Sequence, residues 1–490
     1  MKLNKSTLTQ LQTSSTVGLT CPEFDRNTLN NGIVHLGLGA FHRSHQALFT
    51  EKTNNLSSQS TKWGITGIAF TNRDLQAQLA EQDYLYTVAI CDREESFQII
   101  GSLQDVLVAK YEITRVVDAI VHLNTKLVTL TVTEKGYCLD SNGELDKNLP
   151  AIQADLTDLS APRSAVGILV AALLQRFKAG SPSFNVIACD NLPHNGTRLK
   201  QAVVQFAACI SSELANWIET NTLFPNTMVD CITPSTTDET LKSIEQQLDF
   251  SDSAPVQREA FDQWVIEDVG DYERPAWEEA GVIFTKDVAA FENAKLRVLN
   301  GLHSTLAYAG SLAGHKTVYE AVSNPLLEQF LVNLLSECII PSLKAPAGLN
   351  LEQYANDILN RFKNPKIAHL LEQIAGDGSQ KIPVRIVTPL IENLAQDRAI
   401  EPLCDVVCAW ILFVQNKAKT NETLNDPRAD DLLAAVNLFN GDAEHDIAIF
   451  ININGLFNVE LMRNETFIQT LTARYSRFVN GFDVSIFAEL

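Results

Sequence analysis

Short apolar runs alternate with amphipathic stretches along the first part of the chain. Residues 32–38 (GIVHLGL), 63–70 (WGITGIAF), 127–133 (LVTLTVT) and 184–189 (FNVIAC) have strand length and are apolar at most positions. Such runs suit strands buried on both faces. Residues 40–54, 164–178 and 197–220 carry apolar positions at helical spacing. Residues 85–91 and 96–103 read as a strand pair around an acidic turn, and shorter strands follow at 228–233, 263–267 and 281–284. Residues 1–30 are polar and read as a tail or an edge extension. After about residue 288 the pattern becomes helical almost throughout, with clear periodicity at 325–340, 351–362 and 403–414. The order predicts an α/β protein: a doubly wound, mostly parallel sheet over residues 1–287 and a mostly α-helical domain over 288–490. No internal repeat or low-complexity segment interrupts it.

With 490 residues, two domains are the natural expectation. Apolar content of 45% and charged content of 20% describe an ordinary globular protein. The net charge of −21 argues against nucleic acid and anionic membrane as partners, because both require a basic footprint. It does not exclude an anionic small substrate, since a basic pocket can sit inside an acidic protein. The nine cysteines are scattered without a CxxC pair, as expected of free thiols in a reducing compartment. No stretch approaches the roughly 18 apolar residues of a membrane span, and residues 1–18 lack a signal-like apolar core. The expected location is the cytoplasm.

Gly37-Leu38-Gly39-Ala40-Phe41 follows the first apolar run and precedes a helical stretch. That context suits a dinucleotide turn, in which glycines let the backbone approach a pyrophosphate. His42 stands where a third glycine would complete the fingerprint, and Arg43 either adds charge toward phosphate or is solvated. The tip of the second run offers Arg73 and Asp74 together, so it favours neither NAD nor NADP. Thr133-Glu134-Lys135 and Asp190-Asn191 leave two other buried strands at the same carboxyl edge. Asn191 is either a donor above a cofactor or the cap of the following helix. His42 and His45 lie three residues apart, but neither a third ligand nor HExxH accompanies them, and no GxSxG elbow occurs.

The stretch from Glu292 to His303 reads as one helix. At about 100° per residue, Glu292, Lys295, His303 and Asn300 share an arc about 140° wide, with Val298 and Leu302 on the other side. An amine, a carboxamide and an imidazole on one face suit proton transfer at an alcohol carbon. The same grouping also describes an ordinary wet helix face.

The motifs GLGAFHRSHQA, TVTEKGY, CDNLPHNG, FPNTMVDCITP, QWVIED and KLRVLNGLHS occur in this order over residues 34–310. This succession resembles the mannitol dehydrogenase family, the polyol-specific long-chain dehydrogenases. The resemblance continues through DGSQKIPVR at 377–385. It implies a Rossmann-type domain that binds NAD, or NADP, through Gly37–Phe41, Arg73, Thr133, Glu134 and Asp230. It also implies a helical domain, an active site between the two, and metal-independent hydride transfer. By matching motif, Lys295 is the general acid/base, Asn191 and Asn300 polarise the carbonyl oxygen, and His303 orients substrate and lysine. These roles agree with the chemistry, because ketone reduction builds negative charge on oxygen and requires a proton donor. Glu292 would raise the lysine pKa, or act as a proton relay. One departure stands out: relatives commonly read MVDRITP, and here Cys231 replaces the arginine.

Two features lean toward the family's sugar-acid branch, which interconverts D-fructuronate and D-mannonate. Lys135 in TEKGY resembles that branch. DGSQKIPVR likewise resembles it and brings Lys381 and Arg385 close together, either as partners for a substrate carboxylate or with Arg385 paired to a protein carboxylate on a helix surface and Lys381 holding hydroxyls. Mannitol/fructose chemistry is the second expectation. A catalytically inactive nucleotide-binding sensor is the third, and the intact set of Lys295, Asn191, Asn300 and His303 argues against it. The expected partner is a small sugar acid or polyol, and the expected assembly a monomer or weak homo-oligomer.

Overall fold

The structure, a computed structural model, describes all residues except 14–15, 57–60, 93, 368 and 489–490. The chain forms two compact units, Met1–Ala289 and Ala290–Leu490. No helix among the described residues is long and apolar enough to cross a membrane.

The centre of the first unit is a parallel five-stranded sheet. Its strands are β1 (Asn30–Leu36), β2 (Trp63–Ala69), β3 (Leu103–Val108), β4 (Leu127–Leu130) and β5 (Asn185–Ala188). The spatial order is β3-β2-β1-β4-β5. Leu36 lies opposite Ile68 and Leu130, and Leu130 opposite Ala188, so these carboxyl ends share one edge. Successive strand residues point to opposite faces. Val34, Leu36, Val128, Leu130 and Val186 pack with Leu169 and Leu199 of the helices Ala165–Lys178 and Asn195–Ile210. Ile33, Ile65, Leu127 and Ile187 pack on the other side with Phe49, Trp264 and Trp277. Both faces are therefore core, which explains why the strands read as unbroken apolar runs. Each such side chain contributes about 1.5–3 kcal/mol when fully buried.

Two smaller sheets complete this unit. One pairs Leu19–Thr20, Ser96–Ile100, Tyr86–Cys91 and Val256–Glu259, and the other Ile283–Thr285, Gln263–Glu267 and Thr227–Asp230. The polar N-terminal stretch is more than a tail. It forms the helix Lys5–Thr13 and then the edge strand Leu19–Thr20. Leu8 and Leu11 anchor that helix on Leu85, Phe97 and Ile244.

Several expected elements are interrupted. The helix expected over 40–54 is two, Ala40–Ser44 and Gln46–Leu56, because His45 adopts φ −125°, ψ −84°. The helix expected over 197–220 breaks at Ser211, whose side chain accepts hydrogen bonds from Glu213 and Leu214 N–H and so caps a second helix, Ser212–Asn221. The strand expected over 127–133 stops at Leu130. Strands β3 and Val256–Glu259, and the helices Arg73–Ala80, Ala109–Val121 and Asp238–Leu248, were not anticipated.

The second unit is helical. Its hub is the pair α1 (Val288–Arg297) and α2 (Leu299–Leu312), which meet at Val298. Every residue from Gly301 to Gly310 is buried. Around α2 pack Val318–Val322, Leu371–Ala375 and Glu401–Thr420. Helix α3 (Leu351–Phe362) begins at an Asn350 cap. Two widened, π-helical turns occur among the described residues, Leu335–Ile339 and Pro383–Val387. The fully buried Asn393 donates to the carbonyls of Cys338 (3.0 Å) and Pro389 (2.9 Å), tying the first of these turns to the helix after the second.

Candidate functional site

In the first unit the glycine turn lies at the carboxyl end of β1, where the strand order reverses toward β4. Gly37 has φ +97°, and a Cβ there would stand 2.0 Å from the Thr131 carbonyl oxygen. Its N–H and that of Leu38 both donate to Ile68 O at 2.9 Å, and Thr131 Oγ1 donates to Gly37 O at 2.9 Å. Gly37 is thus required by the chain itself. Gly39 differs: it caps the helix Ala40–Ser44 in extended conformation, and a Cβ would meet only Gly37 O, at 3.7 Å. The space beside Gly39 is left to something other than the chain, which fits a dinucleotide pyrophosphate. Ala40 and Phe41 open the helix that follows.

His42, in the place of the third glycine, stacks on His35 of β1 with ring centroids 3.4 Å apart and planes 13° from parallel. His35 is gripped by Thr129 Oγ1 (2.8 Å) and Thr131 Oγ1 (2.9 Å). His45 Nε2 meets Gln263 O at 3.1 Å, and its Nδ1 meets Gln46 Nε2 at 2.9 Å. His42 and His45 are therefore packing elements with different neighbours. Burial pushes the His35 and His45 pKa values down to about 3. Burial, then the charges of His35 and Arg43, holds His42 well below its usual value. Arg43 points inward, donating to Ala254 O at 2.6 Å and lying over the Tyr86 ring. Arg73 is exposed at the start of the helix Arg73–Ala80, which Asn72 caps. Its guanidinium lies 5.4 Å from the Tyr111 ring centre, and Lys110 Nζ lies 5.7 Å from the same ring.

The turns after β4 and β5 are joined by a residue that sequence reasoning left unassigned. Asp190 Oδ1 accepts the Thr133 N–H at 2.8 Å, and Oδ2 accepts the Tyr137 hydroxyl at 3.1 Å. Thr133 has φ +64°, a conformation disfavoured for a β-branched residue. Burial raises the Asp190 pKa, opposed by these hydrogen bonds. The turn Glu134–Tyr137 presents Glu134 and Lys135 exposed, and Asn191, which follows Asp190, is also exposed. The helix-cap alternative for Asn191 falls away, because that helix starts at Asn195 behind His194. Asp230 ends its strand in a buried position. Cys231 follows it, its thiol pushed up to about 12 by burial and pulled back by the charge of Arg258, whose own side chain is fully buried. Apart from its place in CDNLPHNG, nothing in the sequence flags Asp190.

In the second unit, Lys295 lies on α1 while Asn300 and His303 lie on α2. The break at Val298 makes the single-helix projection approximate. Helical bonding nevertheless continues across it, through Val298 N–H to Ala294 O (2.9 Å) and Leu302 N–H to Val298 O (3.0 Å). Lys295 and His303 are buried, and Asn300 and Glu292 half-buried. His303 has its pKa held well below normal, first by burial and then by surrounding positive charge that includes Arg385 and Lys295. Arg385 Nη1 donates to Asn300 O (3.3 Å) and Ser304 Oγ (3.1 Å), so the structure joins it to the expected catalytic helix. Lys381 donates to Gly376 O (2.6 Å) and Ile374 O (3.2 Å) and lies 3.6 Å from Asp377. Its pKa is lowered by burial and then by Arg385.

The comparisons with known proteins agree over the whole chain. Residues 31–279 match the mannitol dehydrogenase Rossmann domain and residues 287–479 the mannitol dehydrogenase C-terminal domain. D-mannonate oxidoreductase of Escherichia coli K12 is 38% identical over 464 residues, covering 93% of this chain and 95% of that protein. Mannitol 2-dehydrogenase of Neosartorya fischeri is 35% identical over 484 residues, covering 96% and 95%. Among solved structures, the ternary complex of Pseudomonas fluorescens mannitol 2-dehydrogenase with NAD and D-mannitol superposes with a TM-score of 0.80 at 35% identity, over 99% of this chain and 98% of that one. A substrate-free D-sorbitol dehydrogenase gives 0.90 at 28% identity, over 99% and 100%. A Rossmann-type sheet with a helical C-terminal half, matched along its length by these oxidoreductases, makes this chain a member of the mannitol dehydrogenase family.

Proposed function

We propose that this oxidoreductase interconverts D-fructuronate and D-mannonate with NAD, NADP being the alternative coenzyme. The observation that carries the sugar-acid reading is Arg385. Among the described residues its Nη1 bonds Asn300 O and Ser304 Oγ, while Nε and Nη2 make no bond within the chain. That leaves one edge of a guanidinium fork beside α2, the geometry suited to a carboxylate. Lys381 and Lys135 add positive charge for the same group. The similarity to D-mannonate oxidoreductase points the same way.

The bound coenzyme supplies or accepts the hydride. Gly37, Leu38, Gly39, Ala40 and Phe41 form its phosphate turn, with Thr133, Glu134 and Asp230 along the sheet edge and Arg73 toward the adenosine. The remaining chemistry belongs to side chains. The carboxamides of Asn191 and Asn300 donate to the carbonyl oxygen as charge builds on it. Lys295, a buried amine, delivers the proton to that oxygen in reduction and withdraws it in oxidation. His303 orients both. A proton donor and two oxyanion donors are sufficient without a Lewis acid, so we propose metal-independent transfer. Divided by role, residues 1–287 bind coenzyme and 288–490 carry substrate and catalytic groups. The nine free thiols suit a reducing cytoplasm, and we propose a monomer or weak homo-oligomer there.

A second reading, mannitol 2-dehydrogenase, is favoured by the 35% identity to such enzymes. Coenzyme oxidation followed by absorbance, with D-fructuronate and D-fructose side by side and with NADH and NADPH, separates the two. Preference for D-fructuronate is expected. Preference for D-fructose selects the second reading. Coenzyme binding without turnover of either would leave only a nucleotide-binding sensor.

A further inference from the structure

His303 is not the only imidazole at this place. Its ring stacks on Phe362, the last residue of α3, at 4.5 Å and 27°. It meets His369 edge-on, at 5.1 Å and 79°. His303 Nε2 and His369 Nδ1 are both buried, and neither has a hydrogen-bond partner among the described residues. Buried polar atoms are almost always paired, so two orphaned nitrogens on adjoining rings call for a common external partner.

The backbone of His369 itself is hydrogen-bonded at both its N–H and its carbonyl. Its N–H donates to Ile367 O at 2.9 Å, and its carbonyl accepts Val318 N–H at 3.0 Å. The next residue, Leu370, bridges to Thr317. The charges around the pair are positive: Lys295, Arg361 and Arg385 act on His303, and Lys381 acts on His369. Together with burial they keep both rings neutral. A neutral imidazole offers one donor and one acceptor, and a hydroxyl can pair with either nitrogen in either tautomer. A carboxylate, which only accepts, is better matched to Arg385. The division of labour that follows is cations for the acid end and imidazoles for the hydroxyl chain.

We propose that His369 is a second substrate-holding imidazole, whose Nδ1 takes a hydroxyl of an open-chain polyhydroxy keto acid next to the oxygen held by His303 Nε2. This rests on the substrate reading above, and the test keeps the two apart. Wild-type enzyme is assayed on D-fructuronate and D-fructose, and the variants on whichever is reduced faster. His369→Leu removes the nitrogens at similar bulk, and His369→Asn returns a carboxamide near the Nδ1 position. For His369→Leu, kcat/KM should fall about 30-fold, mainly through the KM of the keto substrate, as for loss of one buried polar contact. The KM for NADH and the unfolding midpoint should stay unchanged, and His369→Asn should regain most of the loss. If His369→Leu does not fold, His369→Ala is read the same way. Wild-type kcat/KM in the leucine variant, a loss that asparagine does not restore, or an equal loss of NADH affinity overturns the role of His369. Wild-type preference for D-fructose overturns only the sugar-acid reading, and His369 is then judged on D-fructose. No turnover on either substrate overturns both.

Discussion

Asp190 holds Thr133 in a strained backbone conformation: its Oδ1 accepts the Thr133 N–H at 2.8 Å while that residue stands at φ +64°. A non-glycine residue held there costs about 1–3 kcal/mol, so the carboxylate maintains a turn that would otherwise relax. The turn carries Glu134 and Lys135 at the sheet edge. Asp190→Ala should destabilise the protein by about 1–2 kcal/mol, since it leaves the buried Tyr137 hydroxyl unpaired, while relaxation of the Thr133 backbone offsets part of the loss. It should also weaken NADH binding, and Thr133→Gly in the same background should restore part of the affinity. Urea unfolding and a fluorescence titration with NADH measure the two effects. Lost stability with unchanged affinity would confine Asp190 to a structural role.

The two glycines of the proposed phosphate turn should separate fold from binding. Gly37→Ala places a methyl 2.0 Å from Thr131 O at a positive φ, and a loss above about 3 kcal/mol is expected. At Gly39 the added methyl meets only Gly37 O, at 3.7 Å. Gly39→Ala should keep its unfolding midpoint and lose about tenfold in NADH affinity, through blocked approach of the pyrophosphate.

Acid should attack the same end of the sheet. The folded pKa values of His35 and His45 are pushed down to about 3, and that of His42 lies well below normal. An unfolded histidine titrates near about 6.5. Below that pH the unfolded chain takes up protons that the folded chain refuses, so stability is full above it and falls as pH drops toward about 3. Each histidine contributes a slope of up to about 1.4 kcal/mol per pH unit. His42→Phe, which can keep the stack on His35, should lose about 1 kcal/mol less than wild type between roughly pH 7 and pH 5.5, as one proton of linkage requires. Equal losses in urea unfolding would mean that His42 is not held neutral.

Lys295→Ala should lose turnover by about two to four orders of magnitude while binding NADH normally, as expected for removal of a general acid/base. Near-wild-type rates would remove Lys295 from that role.

Arg385→Ala should raise the KM for D-fructuronate about 10- to 100-fold and that for neutral ketoses much less, in keeping with loss of a charge-assisted pair. Arg385→Lys should not rescue it, because a lysine cannot both hold Asn300 O and Ser304 Oγ and present a fork. Equal effects on both substrate types would argue against a carboxylate contact.

What the sequence disclosed followed burial. Strands β1, β2, β4 and β5 are core on both faces, so their composition announced them, whereas β3 (LQDVLV) has half-buried Gln104 and Asp105 and did not stand out. The helix breaks at His45, Ser211 and Val298 depend on packing and caps rather than on periodicity. Of the proposed site, Lys295, Asn300 and His303 are legible from spacing and Arg385 from its motif. Asp190 and His369 were not, because one acts through a backbone amide and the other through a ring contact with a residue far away in sequence.

The widened turn Pro383–Val387 contains one residue more than an α-helical turn would hold. It stands between Lys381 on one side and Glu392 and Asn393 on the other, and Glu392 pairs with Arg297 while Asn393 reaches Cys338. Losing one residue there would rotate everything beyond it by about 100° relative to what precedes. Both sets of contacts could then no longer be made at once. Here the chain is exacting about length rather than identity. Val384 is exposed, so replacing it should matter little, whereas deleting it should unseat either Arg385 from α2 or the pair that ties Glu392 to α1.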